Sequence, residues 1–475
     1  MLFMPPYKGG MEDMMENIKV SDIVKCTGGE LISGDENTLI LNISFDSRVM
    51  KGSDIFVPLI GARVDGHRFI DKAIENGAAA VFTSEDIAPF GDVAWIKVDD
   101  TLKALQMLGV YCKSRFDIPV VAVTGSVGKT TTREMVAQAL SAGYKVFKTS
   151  KNFNSDIGLP VTLSEIKSDD EIAVLELGIS DFGEMEVLTD MARPDLAIVT
   201  NIGYAHIAQF KTRDNTCKEK LSVVKGLSAD GLLVLNGDDD MLKKYGREFF
   251  DNVIYYGLGS DNDMQALNIE YFEDKMCFDA VIKGKVVKVE LPVIGEHMVM
   301  NALAALTAAW YFNVDLEAAA ESLKDFAGFK NRQQIYDIDD IRVIDDTYNA
   351  SPASMKAAIS VLENMKTAGR KIAVLADMLE LGDDSPRFHK EIGVFAASHK
   401  VDKLITVGSM GEKIADGFGE FAAENGSNYE LASFKANAEA YEYLKRTVSK
   451  GDVLLFKGSN GMKLGEIINM LKEGK

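Results

Sequence analysis

The sequence predicts an α/β protein of three units, the central one a doubly wound parallel sheet of the mononucleotide-binding kind. Three observations carry that reading. The runs IPVVAVTG, EIAVLELG, DLAIVTNIG and GLLVLNGDD are β-branched and apolar on both faces, as strands covered on two sides must be. Helical patterns lie among and after them, over about residues 128–143, 214–228 and 297–311. The first run ends in a glycine-bracketed turn, TGSVGKTT, that opens directly into a helix.

The length of 475 residues fits about three domains of about 150 residues each. Residues 1–98 hold short apolar runs (LILNISF, SDIFVPLIG, AAAVFTS, VAWIKV) broken by Gly and Asp turns, with one helix around 69–77, a small α/β module. Its lead-in, MEDMMENIKV, reads as a ragged start before the first folded element, and the first ten residues lack the continuous apolar segment of a secretion signal. Residues 99–326 form the central unit. A third alternation fills 327–475, where IRVIDDTY, KIAVLADM, DKLITVGSM and GDVLLFKGS each precede a helical stretch in a Rossmann-like arrangement. There SPASMKAAISVLENM opens with Ser351 as N-cap and Pro352 at the first helical position. No low-complexity linker separates the units, so they are expected to pack around shared clefts.

A net charge of −20 argues against a nucleic-acid surface or an anionic membrane as partner, and no window approaches the apolar length of a membrane span. The four cysteines, at 26, 112, 217 and 277, are too scattered for a disulfide framework or zinc site, so a reducing cytoplasm is the expected home. The charge also sets a requirement. A phosphorylated ligand would be repelled globally, so its site must supply local positive charge.

The usual phosphate-loop pattern places a glycine four residues before Gly-Lys-Ser/Thr, and here that position is Val123. Gly125 and Gly128 nevertheless flank the turn, so the backbone of Thr124, Gly125, Ser126, Val127, Gly128, Lys129, Thr130 and Thr131 can converge on an anion at a helix N-terminus. Lys129 would reach the β- and γ-phosphates of ATP, and Thr130 would offer a hydroxyl to Mg²⁺. The bland alternative, a strand-turn-helix rich in small residues, does not account for lysine and threonine in register.

Glu176 ends the next strand, where a metal-binding carboxylate belongs, although a surface carboxylate is an equal reading of that residue alone. His206 falls just past the third strand on the same sheet edge, either a site residue or a structural hydrogen-bonder. In NTCKEKLSVVKGL, helical spacing puts Lys220 on the apolar face with Cys217, Val223, Val224 and Leu227, and Lys218 on the polar face. Lys220 either snorkels to solvent or is buried with a lowered pKa, leaving a neutral amine able to take up CO₂ as a carbamate that bridges to Mg²⁺.

The shortened loop TGSVGKTT is similar to that of the Mur ligase family, the ATP-dependent amino-acid ligases of peptidoglycan synthesis. Lys220 matches the family's carboxylated lysine, which with Thr130, Glu176 and His206 implies two magnesium sites. The stretch ISFDSRVMKGSDIFVPLIG resembles the domain that holds the uridine diphosphate, which implicates Ser47 and Arg48. KNFNSDIGLP and ELGISDFGEM look like the substrate loops of the family's central domain, bringing in Asn152 and Asn154. EHMVMNALAAL, FKNRQQIY and IDDTYNASPASM resemble segments that contact ATP through Asn301, Arg332 and Asp346, with Tyr348 and Asn349 following on the substrate side.

DDTYNASPASM together with LADMLELG is similar to the branch that adds D-alanyl-D-alanine, and the DNPR motif of the diaminopimelate-adding branch is absent from the sequence. The resemblance thus implies ATP-dependent ligation of D-alanyl-D-alanine to UDP-N-acetylmuramoyl-tripeptide through an acyl phosphate, by a cytoplasmic monomer. One departure stands out. Asn460, in FKGSNGMKLGE, occupies the place of a family arginine, so either Lys457 or Lys463 substitutes or the dipeptide pocket differs. Rival readings are a sibling ligase adding one amino acid, a non-catalytic ATP-binding partner on the same fold, and a small-molecule kinase.

Overall fold

Nine strands build the central sheet, in the spatial order Lys285–Leu291, Met276–Ile282, Met264–Tyr271, Val253–Gly257, Leu232–Asn236, Leu196–Val199, Val120–Thr124, Ile172–Glu176 and Val146–Lys148. The structure is a computed structural model that describes residues 15–61, 63–150, 152–329, 331–426 and 429–474. The four runs expected as covered strands lie at its centre, paired in parallel and almost wholly buried. One face packs against the helices Lys129–Leu140, Glu296–Tyr311 and Leu316–Ser322. The other is covered by Gly158–Ser164, Glu184–Ala192, Arg213–Leu221 and Asp240–Phe249.

The strand order matters for the site. From Val120–Thr124 the chain first fills the side holding 146–148 and 172–176, then crosses back to 196–199 on the other side. The carboxyl end of Val120–Thr124 therefore sits at a topological switch point, where open α/β sheets form their ligand crevices. Glu176 pairs in register with Val123 and Val199 with Thr124, so all three strand tips reach one edge.

The sheet departs from the all-parallel expectation at its far end, where 264–271, 276–282 and 285–291 pair antiparallel. Met276–Ile282 alternates buried and half-buried positions, the one-sided pattern of an antiparallel strand rather than a run apolar on both faces. The expected helix over 214–228 is α only over Arg213–Leu221 and tightens to a 3₁₀ turn over Ser222–Gly226.

A five-stranded sheet precedes the central one, ordered Glu30–Ser33, Ala94–Lys97, Ala78–Thr83, Asp54–Phe56 and Asn42–Ser44, parallel except for its first pair. The helix Thr101–Ser114 joins the two sheets. Its Leu105 and Leu108 share a core with Ile55 and Phe82 on one side and with Phe153 and Val161 on the other. The ragged start is corrected from Met15 onward. Met15 is buried, Ile18–Lys19 pairs with Leu39–Ile40, and Val20–Thr27 is a helix whose Ile23 enters the same core. The amphipathic spacing of Ile18, Val20 and Ile23 was masked by the methionine-rich approach to it; residues 1–14 lie outside the described residues.

The last sheet runs Gln334–Ile338, Ile341–Asp346, Val453–Lys457, Lys371–Ala376, Lys403–Val407, Glu430–Phe434, with one antiparallel edge pair. Ser351 caps its first helix by accepting from the Ser354 N–H, with Pro352 in the first turn.

Candidate functional site

The turn after Val120–Thr124 works differently from an array of free amides. Ser126 N–H donates to the Asn201 carbonyl at 2.9 Å, and Val127 N–H to Asn201 Oδ1 at 3.0 Å. The Val127 carbonyl accepts from Thr200 Oγ1 at 2.6 Å and Asn201 Nδ2 at 2.9 Å, and Ser126 Oγ accepts from Gly203 N–H at 2.8 Å. The loop is thus pinned to the segment after Leu196–Val199. The first bond of the following helix runs from Thr132 N–H to the Gly128 carbonyl, so the N–H groups of Lys129, Thr130 and Thr131 have no helical acceptor. These, rather than the mid-loop amides, are the donors left free to meet an anion. Gly125 has φ +144, and a Cβ there would lie 1.9 Å from Thr200 Oγ1.

Lys129 Nζ folds back onto the Gly125 carbonyl at 2.9 Å. Burial depresses its ammonium below the usual range, Glu176 opposes that, and Arg332 adds to it. Asn301 Oδ1 accepts from Thr132 Oγ1 at 3.0 Å and faces Gly128, tying the helix Glu296–Tyr311 to the turn. The Thr124 hydroxyl is buried with no partner among the described residues.

Glu176 is buried and both carboxylate oxygens are held: Oε2 accepts from Arg133 at 3.2 Å, Oε1 from Asn154 Nδ2 at 2.8 Å. Asn154 therefore faces Glu176, while Asn152, its neighbour in the sequence, is exposed. Lys220 is buried, as its place on the apolar face predicts, with Cys217, Leu221 and Val223 buried beside it and Lys218 exposed. No carboxylate lies within ion-pair distance of it among the described residues, and burial, then Lys129, pushes its ammonium well below the usual lysine range. His206 adopts φ +55 at the start of a short helix, and its Nδ1 meets Glu380 Oε2 at 3.0 Å across to the last sheet. Burial lowers its pKa, Glu380 opposes, and Lys220 and Lys129 add. Lys129, Glu176, His206 and Lys220 thus share one electrostatic neighbourhood at the switch point.

The C-terminal unit meets it along a small junction. Tyr204 packs on Phe388 with centroids 4.4 Å apart, and His297 Nε2 lies 2.7 Å from Gln333 Oε1. Arg332 sits over the Tyr348 ring at 4.0 Å with its Nε buried and unpartnered. Asp346 is paired with Lys457 at 2.5 Å, and Lys457 also donates to the Asn349 carbonyl at 3.1 Å. That pairing corrects one expectation: Lys457 is committed to Asp346, so it is no free replacement for the arginine missing at Asn460. Asn460 and Lys463 are both exposed.

Ser47 and Arg48 are not brought to this edge. Arg48 forms a two-point pair with Asp46, at 2.8 and 2.7 Å, on the surface of the first sheet. Sequence reading missed Arg133, Thr200, Asn201 and Tyr204. Arg133 carried the same signal as Lys220, a cation on a helix face with Val136, Ala137 and Leu140.

The donor set suits a hard cation. Each Glu176 oxygen accepts one hydrogen bond and keeps a lone pair, and the Thr130 hydroxyl has no partner among the described residues. The cluster Asp65, His67 and Glu85 in the first sheet does not suit one. His67 Nδ1 is engaged by Asp65 at 2.7 Å and Nε2 accepts from Ser84 N–H at 3.0 Å.

Comparison with known proteins gives a consistent outcome. The Mur ligase middle domain matches residues 123–309, the glutamate ligase domain of Mur ligases 331–460, and the catalytic domain of the Mur ligase family 39–109. The chain is 38% identical over 96% of its length to the UDP-N-acetylmuramoyl-tripeptide–D-alanyl-D-alanine ligase of Bacillus subtilis, covering 98% of that protein. It is 30% identical to the Escherichia coli enzyme of the same name, over 97% of this chain and 99% of the other. Among solved structures, MurF from Acinetobacter baumannii superposes with a TM-score of 0.89 at 30% identity, over 97% of this chain and 100% of that one. MurF ligase from Thermotoga maritima in complex with ADP gives 0.81 at 27% identity, over 92% and 97%.

Proposed function

Because the chain belongs to the Mur ligase family, we propose that it joins D-alanyl-D-alanine to UDP-N-acetylmuramoyl-tripeptide at the expense of ATP. The observation that carries this reading is the gathering of Lys129, Lys220 and Arg332, none of them in an ion pair among the described residues, around a glycine turn at the switch point of a strongly acidic protein.

A carboxylate does not condense with an amine in water unaided. The triphosphate lies on the N–H groups of Lys129, Thr130 and Thr131, with the Lys129 ammonium swinging from the Gly125 carbonyl to the transferring phosphoryl group. The tripeptide's terminal carboxylate attacks the γ-phosphorus, the bond to the β,γ-bridging oxygen breaks, and ADP leaves behind an acyl phosphate. The dipeptide amine then attacks the acyl carbon, and inorganic phosphate leaves. Thr130, Glu176, His206 and the carbamate of Lys220 would hold Mg²⁺, which when bound neutralises charge on the phosphates. Burial of Lys220 without a carboxylate partner favours the neutral amine that carbamate formation requires.

Asn301 and Arg332 serve the nucleotide, with Asp346 placing Lys457. Residues 1–98 carry the uridine nucleotide through Ser47 and Arg48, 99–326 carry ATP, and 327–475 carry the dipeptide, with Tyr348 and Asn349 at the shared face. Asn152 lies on the substrate side of its loop. The Tyr204–Phe388 and His206–Glu380 contacts are where the last unit closes on the second and excludes water.

A single-turnover assay with γ-labelled ATP tests the reading. Phosphate release should require both the UDP-tripeptide and D-alanyl-D-alanine, with lysine and diaminopimelate inactive as acceptors. Labelled substrate in place of free phosphate would make the protein a kinase, and release with a single amino acid would make it a sibling ligase.

A further inference from the structure

We propose that Arg133 is a positioning residue that clamps Glu176, through a charge chain running in from the surface, in the orientation needed to receive a divalent cation. The inference rests on Glu176 as a metal carboxylate. Arg133 is 1% exposed although it lies only four residues beyond Lys129. A buried guanidinium needs its donors satisfied and its charge balanced. Its Nε and one terminal nitrogen grip Glu134 Oε1, the former at 3.1 Å, while the other terminal nitrogen reaches Glu176 Oε2 at 3.2 Å. Glu134 is held from the far side by Lys148, at 2.5 Å. The Phe329 ring lies 5.9 Å from the guanidinium.

The chain Lys148, Glu134, Arg133, Glu176 alternates in sign and is neutral overall. Only its last member is at the nucleotide edge. Asn154 holds the second Glu176 oxygen, so the carboxyl plane is fixed at both ends while one lone pair on each oxygen stays available. Lysine at 133 would keep the charge but not the planar fork that meets two carboxylates at once. Outer partners of this kind set the orientation of a metal ligand, and losing one typically weakens metal binding about 10–100-fold.

The test is a double-mutant cycle on Mn²⁺ binding to the protein–ADP complex, read by the electron paramagnetic resonance signal of free Mn²⁺, independently of turnover. R133M should weaken Mn²⁺ on the order of tenfold, with R133K between it and the parent. In an E176Q background the same R133M change should add less than about twofold, because the group it orients is gone. If R133M leaves Mn²⁺ affinity unchanged while E176Q weakens it, the clamp is refuted and the metal role of Glu176 stands. An equal R133M effect in both backgrounds assigns Arg133 to general packing and also refutes it. If E176Q itself changes nothing, the metal role of Glu176 falls and the clamp with it. Should R133M fail to fold, R133K carries the same comparison.

Discussion

Replacing Gly125 with alanine tests the loop architecture most directly. The added Cβ would lie 1.9 Å from Thr200 Oγ1 and 3.1 Å from both Thr200 Cβ and N, in a backbone conformation of φ +144 that L residues rarely adopt. Strain at such a φ costs about 1–3 kcal/mol. Forcing Thr200 aside costs about 1–3 kcal/mol more as overpacking. The hydroxyl so displaced also donates to the Val127 carbonyl at 2.6 Å, a bond worth about 0.5–1.5 kcal/mol. G125A should therefore lose roughly 3–6 kcal/mol locally, read as faster amide exchange along Val120–Thr124. ADP affinity by calorimetry should fall by more than about tenfold, since the loop can relax only by unpinning Val127 and tilting the N–H groups that face the phosphates. T200A alone should cost only about 1 kcal/mol. In the G125A background it should restore part of the loss, because the nearest contact recedes from 1.9 to 3.1 Å. Parental exchange rates and ADP affinity in G125A would refute the account of the loop.

Two further perturbations separate chemistry from scaffolding. K220A should be inactive at unchanged fold, with partial activity returning in millimolar short-chain carboxylate; full activity without rescue would remove Lys220 from the mechanism. His389 is fully buried, accepts from Met378 N–H at 2.8 Å and contacts the Ser385 carbonyl at 2.6 Å, so it holds the loop that presents Glu380 to His206. Burial lowers its pKa, so below the unfolded value of about 6.5 the unfolded chain binds a proton that the folded chain refuses. Stability is therefore lost as pH falls through that range. H389A should cost about 3 kcal/mol at pH 8 and flatten the acid limb in urea titrations, and an unchanged limb would contradict the assignment.

Legibility in the sequence followed physical scale. The covered strands and the strand-turn-helix that carries Lys129 and Thr130 were readable because they depend on local order: a run apolar on both faces, a glycine turn, a helix start. Lys220 was readable because helical spacing alone puts a cation on an apolar face. Arg133 sits equally on such a face, and the same argument would have found it. The Ser126 and Val127 amides were misjudged because their acceptor, Asn201, lies 75 and 74 residues away in sequence and adjacent only through the strand crossing. The pairing of Lys457 with Asp346 was hidden for the same reason, since neighbouring parallel strands bring them together from 111 residues apart. The hairpin of 264–291 was missed because one-sided strands carry too little apolar signal to compete with the central runs.

The distribution of positive charge explains how a protein of net charge −20 can attract a triphosphate. The cations that matter here, Lys129 and Arg332 half-buried and the others buried, fall into two groups. Arg133, Lys403 and Lys457 are each matched by a carboxylate within 3.2 Å and add little field beyond their own pair. Lys129, Lys220 and Arg332 have no carboxylate within ion-pair distance among the described residues, and Lys129, just past the Thr124 strand tip, repels Lys220 and is repelled by Arg332. Withdrawing an unpaired cation from water is costly, and the depressed pKa of both lysines is the form that cost takes. An arriving polyphosphate relieves it, so part of the binding free energy is strain already stored in the free protein. Lys220 has a second way to relieve the same repulsion, which is to become an anion itself. On this account the two lysines are coupled: neutralising Lys129 as K129M should lower CO₂ uptake at Lys220, followed by ¹³C carbamate resonance, because the like charge that keeps its amine unprotonated is gone. A carbamate signal as strong in K129M as in the parent would show that burial alone sets the state of Lys220.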